Sequence, residues 1–261
     1  MNKILLIALA GALSVGALNV RAQAGATVNA PTVTANVSVV SQYMFRGQRL
    51  GGLSLQPSAE IGGMLGGNLA VGVWASKPLS NRIPGVSDPE FDFYGSYTST
   101  IAEGLTLVPG FTYYYYPNLV NTVHKATFEP SLALNYTIAG VKLTPKLYYD
   151  MTLEGPTWEI SAAHSVALAS LGATVDLSAT WGSYKITDVV KNGSPATKNW
   201  GDYCSFGFSV PIQLSTNSKL SLGWAYHIGW DNKFKTGSDP QVTNSLQAER
   251  GVGSVNYSFS F

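Results

Sequence analysis

TFEPSLALNYTIAGVKLTPKLYYDM, residues 127–151, is the stretch that decides how this chain folds. In its first half Phe128, Pro130, Leu132, Leu134, Tyr136 and Ile138 alternate with Thr127, Glu129, Ser131, Asn135 and Thr137. After Ala139-Gly140 the alternation resumes, with Val141, Leu143, Leu147, Tyr149 and Met151 set against Lys142, Thr144, Lys146, Tyr148 and Asp150. Side chains two residues apart share one face of a strand, so each half has an apolar face and a polar one. The Ala-Gly pair is short enough to be a hairpin turn. Strands of about a dozen residues exceed the ~5–6 usual in globular sheets and suit a tilted crossing of a bilayer.

Working outward, the same period of two recurs along the chain. In the first segment Val33, Ala35, Val37, Val39, Tyr43 and Phe45 oppose Thr34, Asn36, Ser38, Gln42 and Arg46. Strands are expected at 33–46, 53–65, 69–77, 90–101, 105–116, 126–138, 141–152, 157–168, 172–184, 202–212, 219–231 and 248–261, twelve in all. Their connections alternate in length. Tight links fall at 66–68, 102–104, 139–140 and 169–171, with a slightly longer one at 213–218. The longer, polar ones are 77–89, 117–125, 185–201 and 232–247, while 47–52 and 153–156 are shorter. Short turns at one end and loops at the other are the rhythm of an outer-membrane β-barrel. The expectation is therefore an all-β, antiparallel transmembrane barrel with both termini in the periplasm. Pro57, Pro109, Pro130 and Pro145 lie within these strands, where each removes a ladder donor, and are expected at strand starts or bulges.

Composition agrees. Only 12% of the 261 residues are charged, about half the usual share, and no apolar run after residue 22 approaches the ~20 needed for a spanning helix. Residues 1–22 read as an export signal: Lys3, then the apolar run Ile4 to Leu18, then Val20-Arg21-Ala22. Residues 23–261 then form one barrel domain. Taking Lys3 and Arg21 from 16 basic residues leaves 14 against 15 acidic ones, a net charge of −1, so no nucleic-acid-binding surface is expected. One cysteine, Cys204, and three histidines give no disulfide, no zinc cluster and no expected cofactor. Val255, Tyr257, Phe259 and Phe261 end the chain on an alternating, aromatic strand of the kind found in outer-membrane barrels, which implies the outer-membrane assembly machinery as a partner. Tyr43, Phe45, Phe91, Phe93, Tyr113, Tyr115, Trp158, Trp181 and Trp230 fit girdles facing lipid and lipopolysaccharide.

VSVVSQYMFRGQ (37–48), GVWASKP (72–78) and PEFDFYGSYTSTIAEGLTLVPGFTYYYYPN (89–118) resemble the TorF-type porin family of Gram-negative bacteria, most closely over residues 33–118. The resemblance implies an outer-membrane barrel with a porin role and no catalytic residues. On this reading Tyr43 and Phe45 face lipid at the outer rim, Arg46 turns inward at the mouth, and Gly47 eases the turn. Arg46 either orders the first loop, filters solutes or pairs with an acidic neighbour. The inward, pore-lining charges are expected to be Arg46, Lys142 and Lys146 against Glu60, Glu90, Asp92, Glu129, Asp150, Glu159 and Asp176. Glu90 and Asp92 either line the pore or neutralise Arg46 or Lys77, and Lys146 is placed to pair with Glu129.

Three positive charges against seven imply a narrow, mildly cation-preferring lumen for small hydrophilic solutes or ions, and argue against a pore for acidic oligosaccharides. Inward Tyr94, Tyr114, Tyr116 and Tyr148 either stack on solutes or pack across the interior. Two rival readings stand beside the channel. A lipid hydrolase would need a nucleophile and base in contact, but His164 faces outward and His227 inward, each without a same-strand hydroxyl on its own face. A structural or adhesive barrel would be closed by its own side chains or loops. The carboxylates of 231–239 lack the calcium-loop pattern.

Overall fold

The computed structural model describes residues 31–81, 88–119, 125–152, 154–185, 200–229 and 249–261. Residues 1–30, where the export signal is expected, most of the long loops, Trp230 and the acidic stretch 231–239 lie outside these. The described strands are β1 (Thr32–Val40), β2 (Tyr43–Phe45), β3 (Gln48–Gly51), β4 (Ser54–Gly63), β5 (Leu69–Pro78), β6 (Glu90–Tyr97), β7 (Ser99–Ala102) and β8 (Leu105–Tyr115). They continue with β9 (Ala126–Ile138), β10 (Val141–Asp150), β11 (Gly155–Leu168), β12 (Ala173–Lys185), β13 (Trp200–Gln213), β14 (Ser218–Gly229) and β15 (Glu249–Ser260). β6 and β7 are one stave broken at Thr98, since both pair with β8.

The ladder runs from β1 through β4, β5, β6, β8 and then consecutively to β15, which pairs with β1 from Thr34↔Ser260 to Val40↔Ser254. Every pairing is antiparallel. The result is a closed barrel of twelve staves, with strands where the period of two placed them. Closure removes both sheet edges, so the backbone is satisfied within the sheet, as hydrocarbon requires.

The apolar face points outward all round. Leu132, Leu147, Trp181, Phe206, Leu222 and Tyr257 are among the many large side chains left exposed, and they mesh with one another, as in Phe111–Phe128 (5.6 Å between centroids) and Trp158–Trp181 (5.0 Å). A belt of this extent is far beyond the patch a water-soluble monomer exposes; it marks a lipid-facing surface. Phe93, Tyr113, Tyr115 and Trp181 do face outward.

Tight links fall at one end of the barrel. At Ala139-Gly140 both φ values are positive (50° and 78°), the primed turn that matches strand twist. The chain ends meet at this same end, where Val33 and Phe261 exchange backbone hydrogen bonds of 3.1 and 3.0 Å. The long connections leave the opposite end.

Two expectations need correction. The prolines are neither at strand starts nor at register shifts. Each sits well inside a strand, pairs normally with one neighbour (Val37↔Pro57, Pro109↔Leu132, Phe111↔Pro130, Pro145↔Ile160) and meets a local gap in the ladder on its other side. Pro109 faces the break at Thr98. Register is the same either side of the gaps at Pro57, Pro109 and Pro145, and beyond Pro130 the Met151 N–H still donates to the Phe128 carbonyl (3.0 Å), so a missing donor interrupts the ladder without shifting it.

The second correction concerns the first strand, which stops at Val40 instead of running to residue 46. Ser41 is still tied to β15, with its N–H donating to the Gly253 carbonyl (2.9 Å) and its hydroxyl accepting from the Gly253 N–H (3.0 Å). The chain then turns in, and β2–β3 forms a hairpin inside the barrel. Tyr43 and Phe45, expected in lipid, are 5% and 3% exposed in the lumen. Alternation misleads here because Tyr43, Met44 and Phe45 are buried on both faces; parity carries no information for such a strand.

Candidate functional site

The hairpin turns at Arg46-Gly47, with φ of 42° and 74°, again a two-residue turn with both φ positive. Glycine is needed at 47: a Cβ there would lie 2.6 Å from Tyr203 Cβ and 3.2 Å from Gly229 Cα. An L-residue in the left-handed region costs about 1–2 kcal/mol, and Arg46 accepts that conformation while reaching the opposite wall. Its Nη1 and Nη2 donate to Oε2 and Oε1 of Glu129, both at 2.8 Å. Its guanidinium lies 4.7 Å over the Phe45 ring and 4.6 Å over Tyr148. The two charges are 2% and 1% exposed, and a bidentate fork is the geometry in which a buried pair recovers most of its desolvation cost.

The wall around the hairpin is acidic and tyrosine-rich. Tyr43 and Tyr116 donate to Glu90 Oε2 and Oε1 at 3.0 and 3.3 Å. Tyr114 donates to Glu129 at 3.0 Å. Glu159 accepts from Tyr203 at 2.7 Å and from Tyr148, and Asp150 accepts from Thr127. Gln48 of the hairpin donates to the Tyr184 hydroxyl at 3.3 Å. Asp92 differs: it is 2% exposed and its carboxyl lies against that of Glu90. Glycines seat three of the rings, because a Cβ at Gly72, Gly182 or Gly201 would lie within 2.6 Å of Tyr94, Tyr203 or Tyr184. With no Cβ beneath them these rings lie flat on the wall, which leaves the axis to the hairpin.

Arg46, Glu90, Asp92, Glu129, Asp150 and Glu159 are buried around the hairpin, whereas Glu60, Lys142, Lys146 and Asp176 are half-exposed. Arg46 both orders the first loop and pairs with an acid, Glu129, which is thus not the partner of Lys146; Lys146 lies 4.5 Å over the Tyr148 ring. Lys77 pairs with Asp88 at 3.1 Å, outside the lumen. Tyr114, Tyr116 and Tyr148 pack across the interior.

Three lumenal cations escaped the sequence reading: Lys219, Arg250 and, on the hairpin, Arg49. Lys219 pairs with Ser258 and Arg250 with His227, both on the inward parity of β14 and β15. That parity was legible, since Arg250 alternates in step with Ser254 and Asn256. Arg49 was not, because nothing local marks an inward-folded hairpin. Among the described residues the balance becomes six bases (Arg46, Arg49, Lys142, Lys146, Lys219, Arg250) against the seven acids expected in the lumen.

Toward the turn end the lumen changes character. Asn36, Ser38, Ser58, Thr106, Asn135, Thr144 and Ser161 are half-exposed and joined in short polar links, such as Ser38 to Asn256 (2.7 Å) and Thr144 to Asn135 (2.9 Å). Their small hydroxyl and amide groups leave this part of the interior less filled than the hairpin end. The two histidines hold no catalytic geometry among the described residues. The His164 Nδ1 is bonded to the carbonyl of Gly140 (2.8 Å), bracing a turn, and His227 stands opposite Ser205 with no hydrogen bond between them.

A closed sheet with a lipid-facing exterior and a polar, partly filled interior defines an outer-membrane β-barrel. The chain belongs to the Gcw_chp family, described as a bacterial protein of unknown function, whose sequence profile matches residues 23–180. Among solved structures it is similar to the NanC porin in a rhombohedral crystal form (10% identity, TM-score 0.53, covering 87% of this chain and 98% of that one). It is also similar to the KdgM porin (8% identity, TM-score 0.53, 88% and 99% covered) and to KdgM in complex with disordered oligogalacturonate (8% identity, TM-score 0.50, 88% and 99%). At these identities the likeness is one of fold. No curated protein matches the chain in sequence.

Proposed function

We propose that this protein is a passive outer-membrane channel for small hydrophilic solutes and ions, narrowed at one end by its own first hairpin. The observation that carries this reading is the two-zone lumen: a wet vestibule of serine, threonine and asparagine at the turn end, and β2–β3 lodged against a charged wall at the loop end. Both termini are then periplasmic, residues 1–22 are the export signal, the final strand addresses the assembly machinery, and the loop end meets lipopolysaccharide. The three motif stretches support a place among the TorF-type porins. We read the protein as non-enzymatic, since His164 is committed to a turn carbonyl. Permeating cations have the acidic wall to follow; with seven acids against six bases the preference is weak. The lining role belongs to Glu60, Lys142, Lys146 and Asp176, and the buried six shape the constriction.

The test is reconstitution of the mature protein in a planar bilayer. Discrete conductance steps with a small cation-positive reversal potential are expected. Absence of steps from the intact protein and from one lacking the hairpin would refute the channel. A second reading, a barrel held shut by the hairpin, is favoured by the burial of Phe45 (3%) and Leu50 (2%); it requires silence from the intact protein and conductance after hairpin removal.

A further inference from the structure

The buried acids lie mainly on one arc of the wall, β6 to β11. The opposite arc, β14 and β15, carries the contrasting chemistry. Here the hairpin is fastened by Gln42, whose Nε2 donates to the Gly251 carbonyl (3.4 Å), and by Met44, which packs on Val252 with Val40 alongside. Arg49 is the hairpin partner of Met44, and Arg250 is the next inward residue on β15 after Val252. The register and the Met44–Val252 contact thereby set Arg49 and Arg250 on facing inward positions of the hairpin and the wall. Neither finds a carboxylate: the ion pairs among the described residues are Arg46–Glu129 and Lys77–Asp88. The Nε atoms of both Arg49 and Arg250 are buried without a hydrogen-bond partner.

Buried donors on a charged group are expensive to leave unmet, and two guanidinium forks on facing inward positions match a planar or tetrahedral oxyanion, not a side chain of their own sign. We propose that Arg49 and Arg250 together form a binding site for one oxyanion group, a carboxylate or a phosphate, of a solute in the lumen. The anion accepts from both forks and neutralises their repulsion. His227, opposite Arg250 across the β14–β15 ladder, stands at its margin. Anionic groups and cations would then follow separate arcs of the same constriction. This deepens the channel reading for solutes in transit, but the binding itself can be measured without any transport.

The experiment is a titration of the detergent-solubilised protein with sodium phosphate and, separately, sodium acetate, at constant ionic strength made up with sodium chloride, followed by thermal unfolding. A saturable rise in unfolding temperature is expected with at least one of them, and which one responds identifies the oxyanion. Arg250→Gln and Arg49→Gln are each expected to weaken that response about tenfold or more. Arg250→Lys, which keeps the charge and loses the fork, should fall between. Lys77→Gln, a matched loss of charge outside the lumen, should respond like the parent. In chloride alone, both glutamine variants should unfold at the parent's temperature or above it, because an unopposed repulsion has been removed. Loss of stability in chloride, or no saturable response to either anion in the parent, overturns the site. A protein that conducts but shows no saturable response refutes this inference alone; one that binds but never conducts refutes the channel reading alone.

Discussion

Replacing Glu129 by glutamine removes one charge and almost no volume, and it strikes the contact that pins the hairpin. Arg46 is 2% exposed and shares both Nη atoms with Glu129 at 2.8 Å. Breaking a buried pair by neutralising one member costs about 3–5 kcal/mol, because the remaining charge is left without compensation. At about 1.36 kcal/mol per decade, the ratio of docked to released hairpin should fall by roughly two to four decades. With cysteine at position 48, the remaining anchors include Tyr43 on Glu90, Gln42 on the Gly251 carbonyl, Met44 on Val252 and the burial of Phe45 and Leu50; the released state therefore becomes a measurable minority, not the rule. The assay is labelling of a cysteine at position 48, in a Cys204→Ser background, by a membrane-impermeant maleimide. The rate should rise by orders of magnitude in Glu129→Gln. The double variant Arg46→Met with Glu129→Leu, which removes both charges, should return it toward the parent value. If Glu129→Gln labels as slowly as the parent, the pair does not hold the hairpin.

Other substitutions probe the remaining architecture. Phe208→Lys places a charge on the outward face and should cost about 2–4 kcal/mol near the bilayer midplane; Ser209→Lys, one residue on and opposite Asp176, should be close to neutral, as read from urea unfolding in lipid vesicles. Gly182→Ala sets a Cβ 2.6 Å from the Tyr203 ring and should destabilise by about 1–3 kcal/mol, whereas Gly66→Ala, where nothing lies within 4 Å, should lose only the smaller cost of its positive φ. Gly47→Ala meets the Tyr203 Cβ at 2.6 Å with φ at 74° and should speed labelling at position 48 without altering barrel content by circular dichroism.

Much of this was written in the alternation of the chain. Val141 to Met151 against Lys142 to Asp150 fixes which side of β10 meets lipid, and β9 and β11 then follow by register. The turn at Ala139-Gly140 needed no tertiary information either. The hairpin did. Tyr43 and Phe45 keep the parity of Val37 and Val39, so a local reading carries them onto the lipid face; the reversal comes from a turn at Ser41-Gln42 and from Glu129, 83 residues away from Arg46. Lumenal charges were visible wherever a strand supplied the parity, as at Glu90, Asp92 and Glu159. Arg49 was hidden because it rides on that hairpin. The mid-strand prolines depend on their neighbours for a related reason: a ladder in a twelve-stave barrel tolerates a one-sided gap, as at Pro57 and Pro145, because the other neighbour holds the register.

The most direct measurement compares single-channel currents of the intact barrel with those of a barrel in which residues 42–52 are replaced by a short glycine-serine link. Removing the obstruction should raise the current several-fold, with the vestibule residues unchanged. Equal currents from the two proteins would mean that β2–β3 does not occupy the path of the ions, and the lumen described above would have to be redrawn.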